Sequence, residues 1–166
     1  AIQGSQDQLF QMFDQGVGRV KNGKFYCRVC DDLAGAAAAL EMLDQLRKKR
    51  LKNTVAVLLT RAEEEGFIGT IAAVIDGKLL RKDDRVISIE TSAEQTYAKQ
   101  GDGVIIRAGD RTSVFNSAFT YFLNAQAEAI GKRDKSFKHQ RTLMPGGSCE
   151  ATVYDAYGYL TGAVCV

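Results

Sequence analysis

Residues 103–130 read GVIIRAGDRTSVFNSAFTYFLNAQAEAI, and a change of period inside this stretch decides the fold class. Its first eight residues form a β-branched run of strand type that ends in Asp110. From 114 to 130 apolar residues recur at Phe115, Ala118, Phe119, Phe122, Ala125 and Ala129. That is the spacing of an amphipathic helix, long enough to cover one face of a sheet. A strand followed at once by a covering helix is the working unit of an α/β protein.

The same alternation continues in both directions. Upstream, KFYCRV at 24–29 reads as a strand. DDLAGAAAALEMLDQL at 31–46 reads as a helix with Leu33, Ala36, Ala37, Leu40 and Leu43 on one face, aspartates at its start and basic residues at its end. NTVAVLLT at 53–60 is a continuous apolar run of the kind that makes a strand covered on both faces. GFIGTIAAVI at 66–75 reads as a short helix, and RVISIE at 85–90 as a strand ending in a glutamate. Downstream come a strand in FKHQRTLM, a Pro145-Gly146-Gly147 turn, a helix in CEATVYDAY and a closing strand in LTGAVCV. Tyr154, Tyr157 and Tyr159 are expected to pack that helix and its turn. The expected architecture is a three-layer α/β/α sandwich around a mixed, mostly parallel sheet.

Composition narrows the function. In 166 residues, 45% are hydrophobic and 25% charged, which fits one globular domain and excludes disordered, collagen-like and coiled-coil chains. A net charge of +2 is too small to demand an anionic partner, so no nucleic acid and no membrane surface is expected. RKKRLK at 47–52 falls at a helix C-terminus, where the dipole favours cations, and neither it nor the second basic stretch around Lys132 to Lys138, with its lone Phe137, interleaves aromatics in the manner of a single-strand binder. No apolar run approaches the roughly 18 residues of a membrane span, and AIQGSQDQLF lacks the basic and apolar regions of a signal peptide. The expected location is the cytoplasm. The four cysteines include one CxxC, Cys27 to Cys30, without a partner motif, and these thiols read as buried strand residues. His139 is the sole histidine and reads as structural, so a metal site here takes its donors from carboxylates and thiols.

Carboxylates gather where strands end: Asp31 and Asp32, then Glu63, Glu64 and Glu65, then Glu90. Open α/β sheets bind ligands at strand ends. Crowded carboxylates repel unless a cation neutralises them or one holds a proton for acid/base work. Each motif alone also fits a plainer reading as a helix cap, a first-turn glutamate or a solvated loop.

In order, DDLAG opening a helix, TRAEEEG after a buried strand, ISIE at a strand end and PGGSCEA before the last helix and strand resemble the co-catalytic zinc aminopeptidases of the glutamyl and tetrahedral (TET) aminopeptidase family. The resemblance covers roughly residues 24–166. It implies two zinc ions bridged by Asp31, with Glu64 a ligand of one and Glu90 of the other. It further implies Glu63 as general base toward the attacking water, and Asp32 steadying the helix start without touching metal. Peptide substrates cut at the amino terminus and a homo-oligomeric assembly follow from the same resemblance. The family's two histidine ligands and its small β-barrel domain have no counterpart in this sequence. Residues 24–166 are therefore expected to be the C-terminal part of such a catalytic domain, inactive alone, behind a 1–23 segment with a cloning junction at GSQDQ. The competing reading is a non-catalytic, metal-free peptidase-like scaffold or binding module.

Overall fold

The computed structural model describes residues 18–166, so most of the 1–23 segment lies outside the described residues. The described chain runs β1 (Arg19–Lys21), β2 (Lys24–Tyr26), α1 (Cys30–Arg47), α2 (Ile68–Asp76), β3 (Arg85–Glu90), β4 (Val104–Asp110), α3 (Ser117–Arg133), β5 (His139–Met144), α4 (Glu150–Ala156) and β6 (Leu160–Cys165). Four strands make the central sheet in the order β3-β6-β4-β5. β3 is parallel to β6 and β4 to β5, while β4 runs antiparallel to β6. The ends of β3 and β6 therefore share one rim of the sheet with the beginnings of β4 and β5.

Two layers of helix close the sandwich, as an α/β sheet with two apolar faces requires. On one face α3 sets Phe119, Leu123 and Ala127 against Ile106 and Val164. Gly162 makes this contact possible, because a Cβ there would stand 2.7 Å from Leu123 Cδ1. On the other face Val74 of α2, Val153 and Tyr154 of α4 and Tyr159 pack over Val86, and Phe115, Cys149 and Ala151 pack over Ala163. Tyr154 and Tyr159 meet edge to face with centroids 6.1 Å apart, whereas Tyr157 is exposed.

Several expectations need correction. The 24–29 run is not a strand of the central sheet: Lys24–Tyr26 pairs with Arg19–Lys21 in an exposed hairpin. Cys27 is exposed and Cys30 only half-buried, so these two are not buried strand thiols; Cys149 and Cys165 are the buried pair. Cys30 instead opens α1 and donates to the Cys27 carbonyl at 3.5 Å. The NTVAVLLT run joins no ladder, and residues 54–60 make no backbone–backbone hydrogen bond among the described residues. Val55 and Leu59 stand 42% and 57% exposed. Apolarity marks a segment that gains by burial, but a strand also needs a neighbour for its amides.

Both amphipathic helices are rotated from their expected faces. α1 buries Gly35 and Ala39, leaving Leu33 and Leu40 exposed, and α3 buries Phe119, Thr120, Leu123 and Ala127 while Phe122 lies outside under Arg85. In α1 small residues take the inward positions and let the helix approach closely, whereas in α3 the missing Cβ of Gly162 leaves room for Phe119 and Leu123.

Candidate active site

Glu90 closes β3 with its side chain 14% exposed. The next residue, Thr91, ties this strand end to the start of α1, its hydroxyl lying within hydrogen-bond distance of Asp32 Oδ1 at 2.7 Å and of the Cys30 carbonyl at 3.1 Å. Asp31 and Asp32 have non-helical dihedrals, so the regular helix begins after them. Asp32 acts as its cap by accepting from Gly35 N at 3.2 Å. The glycine of DDLAG is explained by this fold-back, since a Cβ on Gly35 would lie 2.4 Å from Asp32 Oδ2. Asp31 remains exposed beside it.

Glu63, Glu64 and Glu65 occupy a tight turn between the 54–60 segment and α2. Ala62, Gly66 and Phe67 all carry positive φ there, at 56°, 89° and 63°. For Ala62 and Phe67 this is strained backbone, held by the bonds Ile68 N to Ala62 O at 3.3 Å, Phe67 N to Glu63 O at 2.9 Å and Gly69 N to Arg61 O at 3.0 Å. Glu150 clamps the turn from below: its Oε1 accepts from the hydroxyls of both Thr60 and Thr70. Gly69 lets α2 sit directly on the turn, because a Cβ would meet Arg61 O at 2.4 Å and Arg61 N at 2.7 Å. Gly69→Ala is expected to lower stability by about 1–3 kcal/mol, read as an earlier urea midpoint at constant m; an unchanged midpoint would mean that the turn yields freely.

Electrostatics shows that these elements converge. Burial pushes the Glu63 carboxyl up to about 7, and Glu64, Glu150, Asp31 and Asp32 push it the same way. Burial pushes Glu90 up to about 8; Arg107, whose Nη1 stands 4.0 Å from Glu90 Oε2, opposes this only in part, and Glu63, Asp32 and Asp31 reinforce it. Asp32 is also raised, by burial first, against the hydrogen bonds from Thr91 and Gly35. Asp31, Asp32, Glu63 and Glu90 thus share one field of negative charge, with Glu64 next to Glu63.

A divalent cation suits that donor set by charge, and hard oxygen donors of this kind accept such ions. Among the described residues, however, no three His, Cys, Asp or Glu side chains already stand together as a ligand set. His139 does not supply the missing imidazole. It begins β5 at the same rim as Glu90, but β6 and β4 lie between them, a span of roughly 14 Å. Strand alternation also turns it to the α3 face, where it stacks on Phe137.

Three residues at the site went unread in the sequence: Thr91, Arg107 and Glu150. Glu150 lies inside the PGGSCEA motif, and Arg107 is a lone charge between apolar residues of its strand, whereas the glycines of GFIGTIAAVI are legible as close-packing positions and Gly69 is one.

The family model described as M42 glutamyl aminopeptidase matches residues 8–166. Among solved structures, the PhTET1-12s dodecamer is similar with a TM-score of 0.71 and 23% identity over 90% of this chain and 44% of its own. A TET aminopeptidase from the marine sediment archaeon Thaumarchaeota archaeon SCGC AB-539-E09 gives 0.71 and 21% over 89% and 42%. The Pyrococcus horikoshii TET1 peptidase, described as assembling into a tetrahedron or a large octahedral shell, gives 0.70 and 24% over 90% and 44%. The chain spans less than half the length of these proteins, and at such identities the likeness speaks for the fold. A search of curated proteins finds no match. Because the family match runs over nearly the whole sequence, and the α/β sandwich is the one the TET peptidases share, the chain belongs to the M42 glutamyl aminopeptidase family.

Proposed function

We propose that this chain is the C-terminal part of the catalytic domain of a metal-dependent aminopeptidase that hydrolyses peptides from their amino termini. The observation that carries the reading is the crowding of carboxyls at one rim: burial and then Glu64, Glu150, Asp31 and Asp32 push Glu63 up, burial and then Glu63, Asp32 and Asp31 push Glu90 up, and a bound cation relieves that crowding. In this reading Asp31, Glu64 and Glu90 would hold two zinc ions, and Asp32 holds the start of α1. When bound, the metals supply Lewis-acid polarisation of the scissile carbonyl. Glu63 takes the proton of the attacking water at its carboxylate oxygen and returns it to the leaving amine. The excess negative charge at the rim attracts a free α-ammonium group, which favours cleavage at the amino terminus. Histidine ligands would come from polypeptide beyond these residues.

We further propose a homo-oligomer, since the similar TET structures are described as dodecamers or shells and this chain exposes Val55, Leu59 and Tyr121. Among the described residues no helix is long and apolar enough to cross a membrane, and the free, exposed Cys27 suits a reducing compartment such as the cytoplasm. The competing reading is a metal-free peptidase-like scaffold or binding module.

One experiment separates the two. The intact protein is loaded with zinc, its metal content is measured, and cleavage of a free peptide is compared with cleavage of its Nα-acetylated form. Metal uptake with cleavage of the free peptide alone supports the aminopeptidase; no metal and no cleavage supports the scaffold.

A further inference from the structure

Arg107 is the single charged residue in the apolar part of β4, and 4% exposed it is buried among thiols and small side chains. It pairs with Ala163 of β6, which pairs in turn with Ser88 of β3. Directly paired residues project to the same face, so Arg107, Ala163 and Ser88 line up across the sheet, with Glu90 two residues beyond Ser88 on that face. β4 and β3 are two strand spacings apart, roughly 9.5 Å. On β6 the small side chains of Ala163 and Cys165, which pair with Ser88 and Glu90, leave the long side chain room to reach across, and its Nη1 lies 4.0 Å from Glu90 Oε2.

A guanidinium stays charged when buried and so calls for an anion. Asp110, on the same strand, is already committed: its carboxylate accepts from Cys149 N, Thr152 Oγ1, Thr112 N and Ser113 N at 2.7–2.9 Å. Glu90 is the carboxylate paired with Arg107 among the described residues. Yet 4.0 Å is too long for a hydrogen bond, and Arg107 Nε, Ser88 Oγ and Ser92 Oγ are buried without partners among the described residues. An ion pair serving stability alone would have met those donors, because each one left unmet is destabilising. A cation placed behind a carboxylate that faces the acidic rim fits a different task.

We propose that Arg107 is a positioning residue of the candidate site, aiming the Glu90 carboxylate at the cluster of Asp31, Glu63 and Glu64 and thereby setting how strongly that cluster holds a divalent cation. The proposal rests on the reading of Glu90 as a metal ligand.

The test measures zinc affinity of the intact protein, by competition with a chromophoric chelator, for the parent, R107M, R107K, E90Q and R107M/E90Q, with folding checked by circular dichroism. Removing a group that orients a metal ligand typically weakens binding about 10- to 100-fold, and R107M is expected to fall in that range. R107K keeps the charge but loses the fork, and is expected to recover most of the affinity, to within about 10-fold of the parent. In the E90Q background R107M is expected to change nothing further. Should R107M fail to fold, R107K carries the same comparison, its smaller loss present with Glu90 and absent with Gln. An equal loss in both backgrounds overturns the proposal, as does a full affinity for R107M where E90Q is weakened; in both cases Glu90 remains a ligand. An E90Q protein with parental affinity, or a parent that takes up no zinc, overturns the ligand reading and the proposal with it.

Discussion

Glu63→Gln is expected to lower kcat by about 10²–10⁴-fold, the usual worth of a positioned general base, while zinc content and KM stay close to those of the parent. Glutamine has the size of glutamate and fits the same strained turn between Ala62 and Phe67, but its amide cannot accept the proton of the attacking water. A loss confined to kcat marks an interaction made in the transition state rather than in substrate binding. Glu64→Gln should behave differently, losing metal along with activity, because Glu64 is read as a ligand. The variant also informs if the protein has no activity to lose. Glu63 is held up to about 7 by burial and by neighbouring carboxylates, so the neutral amide removes repulsion and should raise metal-free stability above that pH. Undiminished turnover in Glu63→Gln would sink its assignment as base, and a loss of metal would move it among the ligands.

Periodicity located most of the regular elements. α2, β3, β4, α3, β5, α4 and β6 all lie where the sequence pattern places them, because their apolar spacing is a local property. Partnership is not local. Nothing within NTVAVLLT reveals that residues 54–60 find no ladder among the described residues, and nothing within 114–130 reveals that Gly162 of a distant strand selects Leu123 and Phe119 as the inward side of α3. The site divides the same way. The carboxylates were legible because they come in short runs of one residue type at element ends. Their supports were not: Thr91 reaches Asp32 across 59 positions and Thr60 reaches Glu150 across 90. Arg107 offered one legible sign, a charge in an apolar strand, and such a charge is informative because burial demands a partner.

The metal-free protein is expected to lose stability as pH rises from about 5 to about 8, the reverse of ordinary acid denaturation. Glu90 drives this. Its folded carboxyl titrates near 8 against an ordinary value of 4.5, with burial the main cause. Between those values the folded state keeps a proton that the unfolded chain has released, so raising the pH favours unfolding. The contribution is complete below the ordinary value and gone once pH exceeds the folded one. Its size is on the order of 3–5 kcal/mol. Glu63 adds in the same direction but less, because it is more open to solvent. Asp110 opposes neither, since its hydrogen bonds outweigh burial and lower its pKa, placing its own loss of stability at more acid pH. Glu90→Gln imitates the protonated form, so it should match the parent near pH 5, lack most of the decline and be the more stable protein above pH 8. Zinc should act oppositely, since binding must displace the carboxyl protons and its apparent affinity therefore climbs over the same interval. Urea unfolding at stepped pH, without and with zinc, tests both halves. A parent whose metal-free stability is flat from pH 5 to 8, or a Glu90→Gln variant with the parent's full slope, would show that the buried strand-end carboxyl does not carry the proton.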